Sequence, residues 1–427
     1  MTVGNLFFKN ERGGEGDLKG IWQRGGNKAT HKREHLEEKK EENMKMTHKG
    51  INLLSGLVML TVLSMVFFQS EISSAADVIK IGGTYPMTGS GAQWGERMNA
   101  GAKLAAEEEN TAGGIHGKKI EVIVCDHKGI PREGVACATQ FIHVHRVPAF
   151  EVVYSGVVMA CIPTANENKT VLINTAALDP GIRQGGPWIF SIMPLGDLEG
   201  RAQVEFISEG LKLKKAAVMY INNAFGVSMA KVIKEEFEKA GGEVLAYEAH
   251  AQGGQDFRSQ ISKIKVLNPE VIFLESYYME MGLIVKQAKE LGMKGVQWIS
   301  YAGVQQPQFI DIAGDAAEGF ICTVAGWNPE DPRKIVQDFK KNIKEKYGVD
   351  GEMYSAMQYD GIKLLAHVMR KNGTTAEDIR RGLYEVRDFQ GVTGIVNFDK
   401  DGMVVKKLRL NILEKGKWVP YTKYQFK

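Results

Sequence analysis

From Asp77 onward the chain alternates short apolar runs with amphipathic stretches. The first series reads "VIKIGGTY", a helix-period stretch from about Glu96 to Asn110, "KKIEVIVCD", a second near Glu133 to His143, "VPAFEVVYSG", a third near Ala160 to Asn168, and "TVLINTA". The second series has the runs "KKAAVMYIN", "GEVLAYEA", "PEVIFLES" and "VQWISYAG". Between them lie "GVSMAKVIKEEFEKAGG", "DFRSQISKIKVLN" and "MEMGLIVKQAKELGM", each with apolar residues at helical spacing. Strand and helix alternating at this interval predict an α/β fold of parallel strands with crossover helices.

The two series echo each other. "AQWGERMNAGAKLAAEEENTAGG" follows the first strand of one, and "NAFGVSMAKVIKEEFEKAGG" follows the first strand of the other. Each gives strand, loop, aromatic-Gly, helix and an Ala-Gly-Gly stop of the kind that ends helices. The repetition predicts two Rossmann-like lobes facing each other. In open parallel sheets ligands sit beyond the carboxyl ends of the strands, so Trp94-Gly95 and Phe225-Gly226 are expected to line one inter-lobe cleft. Downstream, "PRKIVQDFKKNIKEKYG", "MYSAMQYDGIKLLAHVMRKNG" and "TAEDIRRGLYEV" read as helices, and "GVTGIVNFDKDGMVVKKLRLNILEKGKW" as a closing strand pair.

The first 76 residues follow a different pattern. Residues 1–43 are polar and dense in both signs of charge, too poor in spaced apolar residues to build a core, and read as a disordered or untranslated extension. Residues 44–76 hold Met44 and Met46, the basic Lys45 and Lys49, the apolar run "INLLSGLVMLTVLSMVFF" and the small-residue stretch "SSAAD". That order is a cleavable signal peptide, with Ser74 and Ala76 as the small-x-small site and Asp77 as the mature start. An uncleaved membrane anchor is the alternative, because the run approaches spanning length. Cleavage predicts a periplasmic protein.

Composition narrows the chemistry. With 54 Lys and Arg against 51 Asp and Glu, the formal net charge of +3 is mixed along the chain, and nucleic acid is not implied. Export permits disulfides among Cys125, Cys137, Cys161 and Cys322; Cys137 and Cys161 would meet if their helices pack together, and buried free thiols are the other reading. Gly89, Gly91 and Gly95 form G-x-G-x-x-x-G rather than a dinucleotide fingerprint, and Trp94 and Glu96 occupy the helix entry where a phosphate needs room. There is no G-x-S-x-G elbow, and the His143–His145 pair has no third metal ligand in register. Hydroxyls and aromatics at strand ends remain: Tyr85, Trp94, Tyr154, Ser155, Tyr277, Tyr278, Tyr301 and Trp327. They suit a binding cleft and supply no catalysis.

From Asp77 the chain resembles the leucine/isoleucine/valine-binding class of periplasmic solute receptors of ABC importers, the type I periplasmic binding proteins. The runs that carry the likeness are "IKIGGTYPMTGSGAQWG", "NTAGGIHGKKIEVIVCD", "QDFRSQISKIKVLNPEVIFL", "MGLIVKQAKELGM" and "AAEGF". The resemblance implies two lobes joined by three hinge crossovers, near Leu195 to Asp197, near Val324 to Trp327 and in the tail. It implies residues 77–197 and 325–400 in lobe 1, and 198–324 and 401–427 in lobe 2. The expected partners are a small carboxylate and a membrane permease, or a membrane signalling protein in place of the permease; the chain is expected to be a monomer without cofactor or metal.

Carried over by motif, the Ser that holds a ligand carboxylate is Ser155, and the small residue and Thr of the family fall on Ala176 and Leu178. The family's acid for the ligand ammonium falls on Ala302, and a ligand-contacting Tyr is replaced by Phe225 while Tyr277 keeps another. Tyr85 and Trp94 complete the expected wall. The departures concentrate on the amino pole, so the expected ligand is an aromatic or branched apolar carboxylate. Leucine-like amino acids are the alternative if Glu275 or Glu280 replaces the missing acid.

Overall fold

The computed structural model describes residues 78–426, and the stretch from Asp77 onward is one compact unit. The expected extension and signal peptide lie outside the described residues. The first half of the unit runs β1 (Val78–Tyr85), α1 (Ala92–Thr111), β2 (Lys119–Asp126), α2 (Pro131–Gln140), β3 (Ala149–Val152), α3 (Ser155–Glu167), β4 (Val171–Asn174) and β5 (Ile189–Ser191). Its strands form one parallel sheet in the order β2-β1-β3-β4-β5. The inner strands β3 and β4 are buried along their whole length, as a sheet covered on both faces requires.

The second half follows with α4 (Gly196–Glu205), β6 (Lys215–Ile221), α5 (Ala224–Lys239), β7 (Glu243–His250), α6 (Arg258–Val266), β8 (Val271–Glu275), α7 (Tyr278–Glu290), β9 (Gln297–Tyr301), α8 (Pro307–Ala313) and β10 (Ile321–Ala325). Strands β7-β6-β8-β9-β10 repeat the order of the first sheet. The chain then returns through α9 (Lys334–Tyr347), α10 (Met353–Asn372), α11 (Ala376–Glu385) and the hairpin β11 (Phe389–Gly391) and β12 (Gly394–Val396). It ends in β13 (Leu408–Glu414) and β14 (Lys417–Pro420), which extend the second sheet antiparallel from β10. The tail expected as one strand pair is therefore two.

The chain passes between the sheets three times: after Ser191, after Ala325, and between Val404, still bonded to Ser191, and Leu408, already paired with Ala325. The last two crossings lie side by side, with the Gly326 N–H donating to the Lys407 carbonyl. Asp360 of α10 ties the β11–β12 turn to the last of them. Its carboxylate accepts from the N–H groups of Val392 and Thr393, both at 2.8 Å, and from the Thr393 hydroxyl, against which the buried Lys406 ammonium rests.

The aromatic-Gly echo has one physical cause in both lobes. A methyl added at Gly95 would sit 2.2 Å from the Pro86 carbonyl oxygen, and one at Gly226 would sit 2.0 Å from the Ile221 carbonyl oxygen. In each lobe the first turn of the helix lies directly over the end of the preceding strand, closer than any side chain permits. The aromatic residue beside each glycine is thereby held at the mouth of the sheet.

The disulfide joins Cys125 of β2 to Cys137 of α2, whose Cα atoms are 5.8 Å apart, because α2 runs back beside the strand that precedes it. Cys161 does pack against α2, but opposite Gly134 rather than at Cys137; it and Cys322 are buried thiols.

Gly95→Ala and Gly226→Ala are each expected to lower the unfolding free energy by about 1–3 kcal/mol, the cost of forcing a methyl into a filled space. Urea denaturation followed by circular dichroism measures it, and Gly156→Ala, in the first turn of α3 where the nearest atom to an added methyl is 3.5 Å away, serves as the uncrowded control.

Candidate ligand-binding cleft

The carboxyl ends of β1, β3 and β4 face those of β6, β8 and β9 across a nearly closed cavity of about 30 Å³. From the first sheet's side it is lined by Trp94, Met98, Tyr154, Ser155, Ala176 and Leu178, from the second by Phe225, Tyr277 and Tyr301, and from α10 by Tyr354. Six of these ten are aromatic, and none is Asp, Glu, Lys or Arg.

Trp94 is the hub. Its ring centroid lies 5.9 Å from Tyr154, 5.4 Å from Tyr277, 4.7 Å from Tyr278 and 5.8 Å from Tyr354, so one indole touches both lobes. The Tyr278 hydroxyl reinforces that contact by donating to the Ser90 carbonyl at 2.8 Å. The indole Nε1–H is buried and has no hydrogen-bond partner within the protein. A donor left unmet in an apolar wall costs roughly 1–3 kcal/mol until something accepts from it.

The loop from Pro86 to Gly91 that delivers Trp94 is tied down by Asp126, whose carboxylate accepts from the Met87 N–H at 2.9 Å, the Thr88 hydroxyl at 2.5 Å and the Lys128 N–H at 2.8 Å. These bonds hold Asp126 below the ordinary range against the opposing effect of burial. The one acid that a dinucleotide site would have used for a ribose is thus spent on the loop. Gly91 makes room for its neighbour: a methyl there would sit 2.3 Å from the Tyr154 hydroxyl.

Tyr154 and Ser155 open α3. Tyr154 has φ 69° and ψ 122°, a backbone that side chains rarely adopt and that functional sites tend to retain. This places its ring 5.3 Å from Tyr277 and 5.2 Å from His127. The Ser155 oxygen accepts from the N–H groups of Leu178 and Asp179, both at 3.2 Å. With its lone pairs so engaged, the hydroxyl keeps its proton to donate, at a helix N-terminus whose first N–H groups have no intrahelical acceptor. An anion is the natural recipient.

In the second lobe Asn223 caps α5 by accepting from the Gly226 N–H at 3.1 Å, while its amide donates to the Tyr277 hydroxyl at 3.2 Å. Phe225 stacks on Tyr277 with centroids 5.9 Å apart and packs 4.7 Å from Tyr301.

Of the residues expected from the sequence, Trp94, Ser155, Ala176, Leu178, Phe225 and Tyr277 lie together at the cavity. Tyr85 does not: it is fully buried inside the first lobe, and its hydroxyl donates to Glu151 Oε2 at 2.5 Å. Ala302 is buried just after β9, outside the lining, where its neighbour Tyr301 takes the wall position. Trp327 packs on Phe339 at 5.6 Å, in the core of the return segment. Met98 and Tyr354 were not anticipated. Tyr354 comes from the first turn of α10, fixed by the Glu352–Ser355 capping box, and the signal for it was a Tyr at the start of a helix that follows a return between lobes.

Charge sits behind the aromatic wall. Burial pushes the Glu275 carboxyl up to about 8, with nearby Glu199 adding to the shift, and pushes Glu199 up to about 7 although the Thr323 hydroxyl donates to it at 2.7 Å. Burial likewise raises Glu280, against the Gly253 N–H bond at 2.9 Å. His127 is lowered by burial to about 4; its Nδ1 accepts from the Gly129 N–H at 2.8 Å, which leaves the proton on Nε2. The hydroxyls of Tyr154, Tyr277, Tyr301 and Tyr354 are all raised by burial. The cleft at neutral pH therefore offers neutral donors.

A profile described as periplasmic binding protein matches residues 78–417. The chain belongs to the periplasmic binding protein family. Its fold is the type I arrangement of two lobes, and its class is that of the solute-binding subunits of ABC transporters. A leucine-, isoleucine-, valine-, threonine- and alanine-binding protein of Pseudomonas aeruginosa is 29% identical over 357 residues, covering 83% of this chain and 94% of its own. The branched-chain amino acid transporter substrate-binding protein of Streptococcus pneumoniae, solved with isoleucine, superposes with a TM-score of 0.74 at 29% identity, covering 80% of this chain and 97% of its own. A solute-binding protein of an ABC transporter from R. palustris, solved with benzoate, has a TM-score of 0.73 at 21% identity, covering 80% of this chain and 95% of its own; that match shows the fold alone. Among the described residues of this receptor no helix is long and apolar enough to cross a membrane, and no cluster of His, Cys, Asp and Glu could hold a metal ion.

The raised carboxyls set a pH dependence. Glu275 stays protonated in the fold up to about 8 and ionises near 4.5 once unfolded, so the unfolded chain binds fewer protons between those values. Its contribution to stability is complete below the lower value and is lost as pH rises through the upper one. Glu275→Gln is expected to flatten the fall in urea midpoint between about pH 5 and about pH 8. An unchanged slope would show that Glu275 ionises normally in the fold.

Proposed function

We propose that this receptor captures a small carboxylate with an aromatic or branched apolar body, closes its lobes on it by hinge movement, and delivers it to an ABC permease. The observation that carries the reading is a lining with no charged side chain and six aromatic rings, set against the donor group at Ser155. A carboxylate is held by the Ser155 hydroxyl and the free N–H groups of α3, and its body lies against Trp94, Phe225 and Tyr277. An α-ammonium at the opposite pole finds the uncharged Tyr301 on the wall, with Ala302, at the position of the family's acid, outside the lining. Leaving such a charge unpaired in an apolar wall costs several kcal/mol, a large part of the roughly 8 kcal/mol in a micromolar complex.

Melting temperatures of residues 77–427 are expected to rise by several degrees with benzoate, 3-phenylpropionate or 4-methylvalerate, since a ligand bound only by the folded state stabilises it. Leucine and phenylalanine are expected to leave it unchanged. Stabilisation by the amino acids and not by their des-amino counterparts would transfer the amino pole to Glu199, Glu275 or Glu280 and overturn the proposal.

Titration calorimetry on variants assigns the parts. Trp94→Ala is expected to weaken binding about 100-fold, as truncated aromatic anchors do. Ser155→Ala is expected to weaken a carboxylate about tenfold while leaving the matching neutral amide unaffected. Equal losses for acid and amide would remove Ser155 from the carboxylate.

A further inference from the structure

Along the rim of the cleft the two lobes meet through groups that stand outside the cavity lining. After β1, the loop from Pro86 to Gly91 presents the Ser90 carbonyl to the second lobe, where the Tyr278 hydroxyl donates to it at 2.8 Å. Tyr278 opens α7, is buried at 3% exposure, and does not line the cavity. Burial, with Glu280 nearby, holds its phenol above the ordinary range, so it keeps the proton it donates. After β3, the first turn of α3 meets the first turn of α5: a Cβ added at Gly156 would sit 3.7 Å from that of Ala224. After β4, the Asp179 carboxylate is engaged by Ser228 of α5.

The Ser90 carbonyl is braced from behind. Asp126 accepts from the Met87 N–H and the Thr88 hydroxyl of the same loop, and its neighbour Cys125 is bridged to α2. Opening the lobes therefore pulls the Tyr278 hydroxyl off its acceptor instead of drawing the loop along. The Tyr278 ring is placed by Trp94, 4.7 Å away. The aromatic contacts of Trp94 can be remade on a solute, but the Tyr278–Ser90 bond joins protein to protein and exists only while the lobes are together. Such a bond favours the closed form and contributes nothing to the open one. A solute leaves through the open form, so the bond acts on the rate of leaving and not on the choice of what enters.

We propose that Tyr278 is the latch of this receptor: its bond to the Ser90 carbonyl sets how long a captured solute is held, whichever solute the cleft takes. The inference rests on the hinge closure proposed above and on nothing about the class of solute.

One test needs no solute. In residues 77–427 carrying Gly156→Cys and Ala224→Cys, the two Cβ atoms of the closed lobes stand 3.7 Å apart, the separation found in disulfides, so oxidation with diamide traps closure as a cross-link. Adding Tyr278→Phe, which keeps the ring on Trp94 and removes only the hydroxyl, is expected to slow trapping about three- to tenfold, the share of one neutral hydrogen bond. Equal trapping with and without the hydroxyl overturns the latch and leaves hinge closure standing. A parent pair that never cross-links overturns both.

A second test reads release by stopped-flow tryptophan fluorescence, with benzoate and with leucine as the probes. Tyr278→Phe is expected to raise the dissociation rate about three- to tenfold, by the same factor for each probe that binds, with its melting temperature unchanged. The association rate is expected to stay within about twofold of the parent's. A loss confined to association, or to one of two probes that both bind, would make the hydroxyl part of recognition and overturn the proposal. Should neither probe bind, the trapping experiment decides alone.

Discussion

The cleft depends on how closely the first turn of a helix can be seated over the end of the strand before it. In both lobes the helix backbone approaches to a distance that only glycine tolerates, at Gly95 against Pro86 and at Gly226 against Ile221. That seating directs Trp94 and Phe225 inward, points the helix ends at the same space, and brings the two sheets face to face. Four further wall residues come from strand ends or the turns after them: Tyr154 and Ser155 after β3, Tyr277 after β8, Tyr301 at the end of β9. The aromatic lining follows from strand ends converging, and its neutrality is preserved by acids one layer behind that keep their protons.

Much of this was legible in the sequence. The alternation of apolar runs and helical stretches located both sheets, and the paired aromatic-Gly signals identified the strand ends that meet. Ser155 and Leu178 could be placed because the resemblance carries the family's ligand-holding positions onto them. What escaped were features that depend on side-chain direction or on elements distant in sequence. Tyr85 ends its strand as the other aromatics do, but its ring turns into the lobe toward Glu151, and no pattern along β1 encodes that choice. Tyr354 reaches the cavity from a helix that begins after the chain has left the second lobe and come back, so its role required the tertiary path. The Cys125–Cys137 bridge depended on α2 folding back along β2, whereas helix-on-helix packing had suggested Cys161.

Polar groups in the interior are sorted by whether they find partners. Asp360, Thr393 and Lys406 form a mutually satisfied set that ties α10 and the β11–β12 turn to the last crossing. Glu199 and Glu275 have no cation beside them and keep their protons instead, which removes the repulsion two buried carboxylates would otherwise suffer. The same low-dielectric surroundings therefore hold a hydroxyl-bridged acid and amine beside the last crossing and neutral acids behind the cleft.

The bridge between Cys125 and Cys137 also has a bearing on when the protein becomes competent. Asp126, which moors the loop carrying Trp94, is the immediate neighbour of one bridged cysteine, and such a bond forms only where thiols are oxidised. With these thiols reduced, α2 loses its covalent tie to the strand whose next residue moors the Trp94 loop, so the firmness of the cleft edge is linked to the redox state of the surroundings.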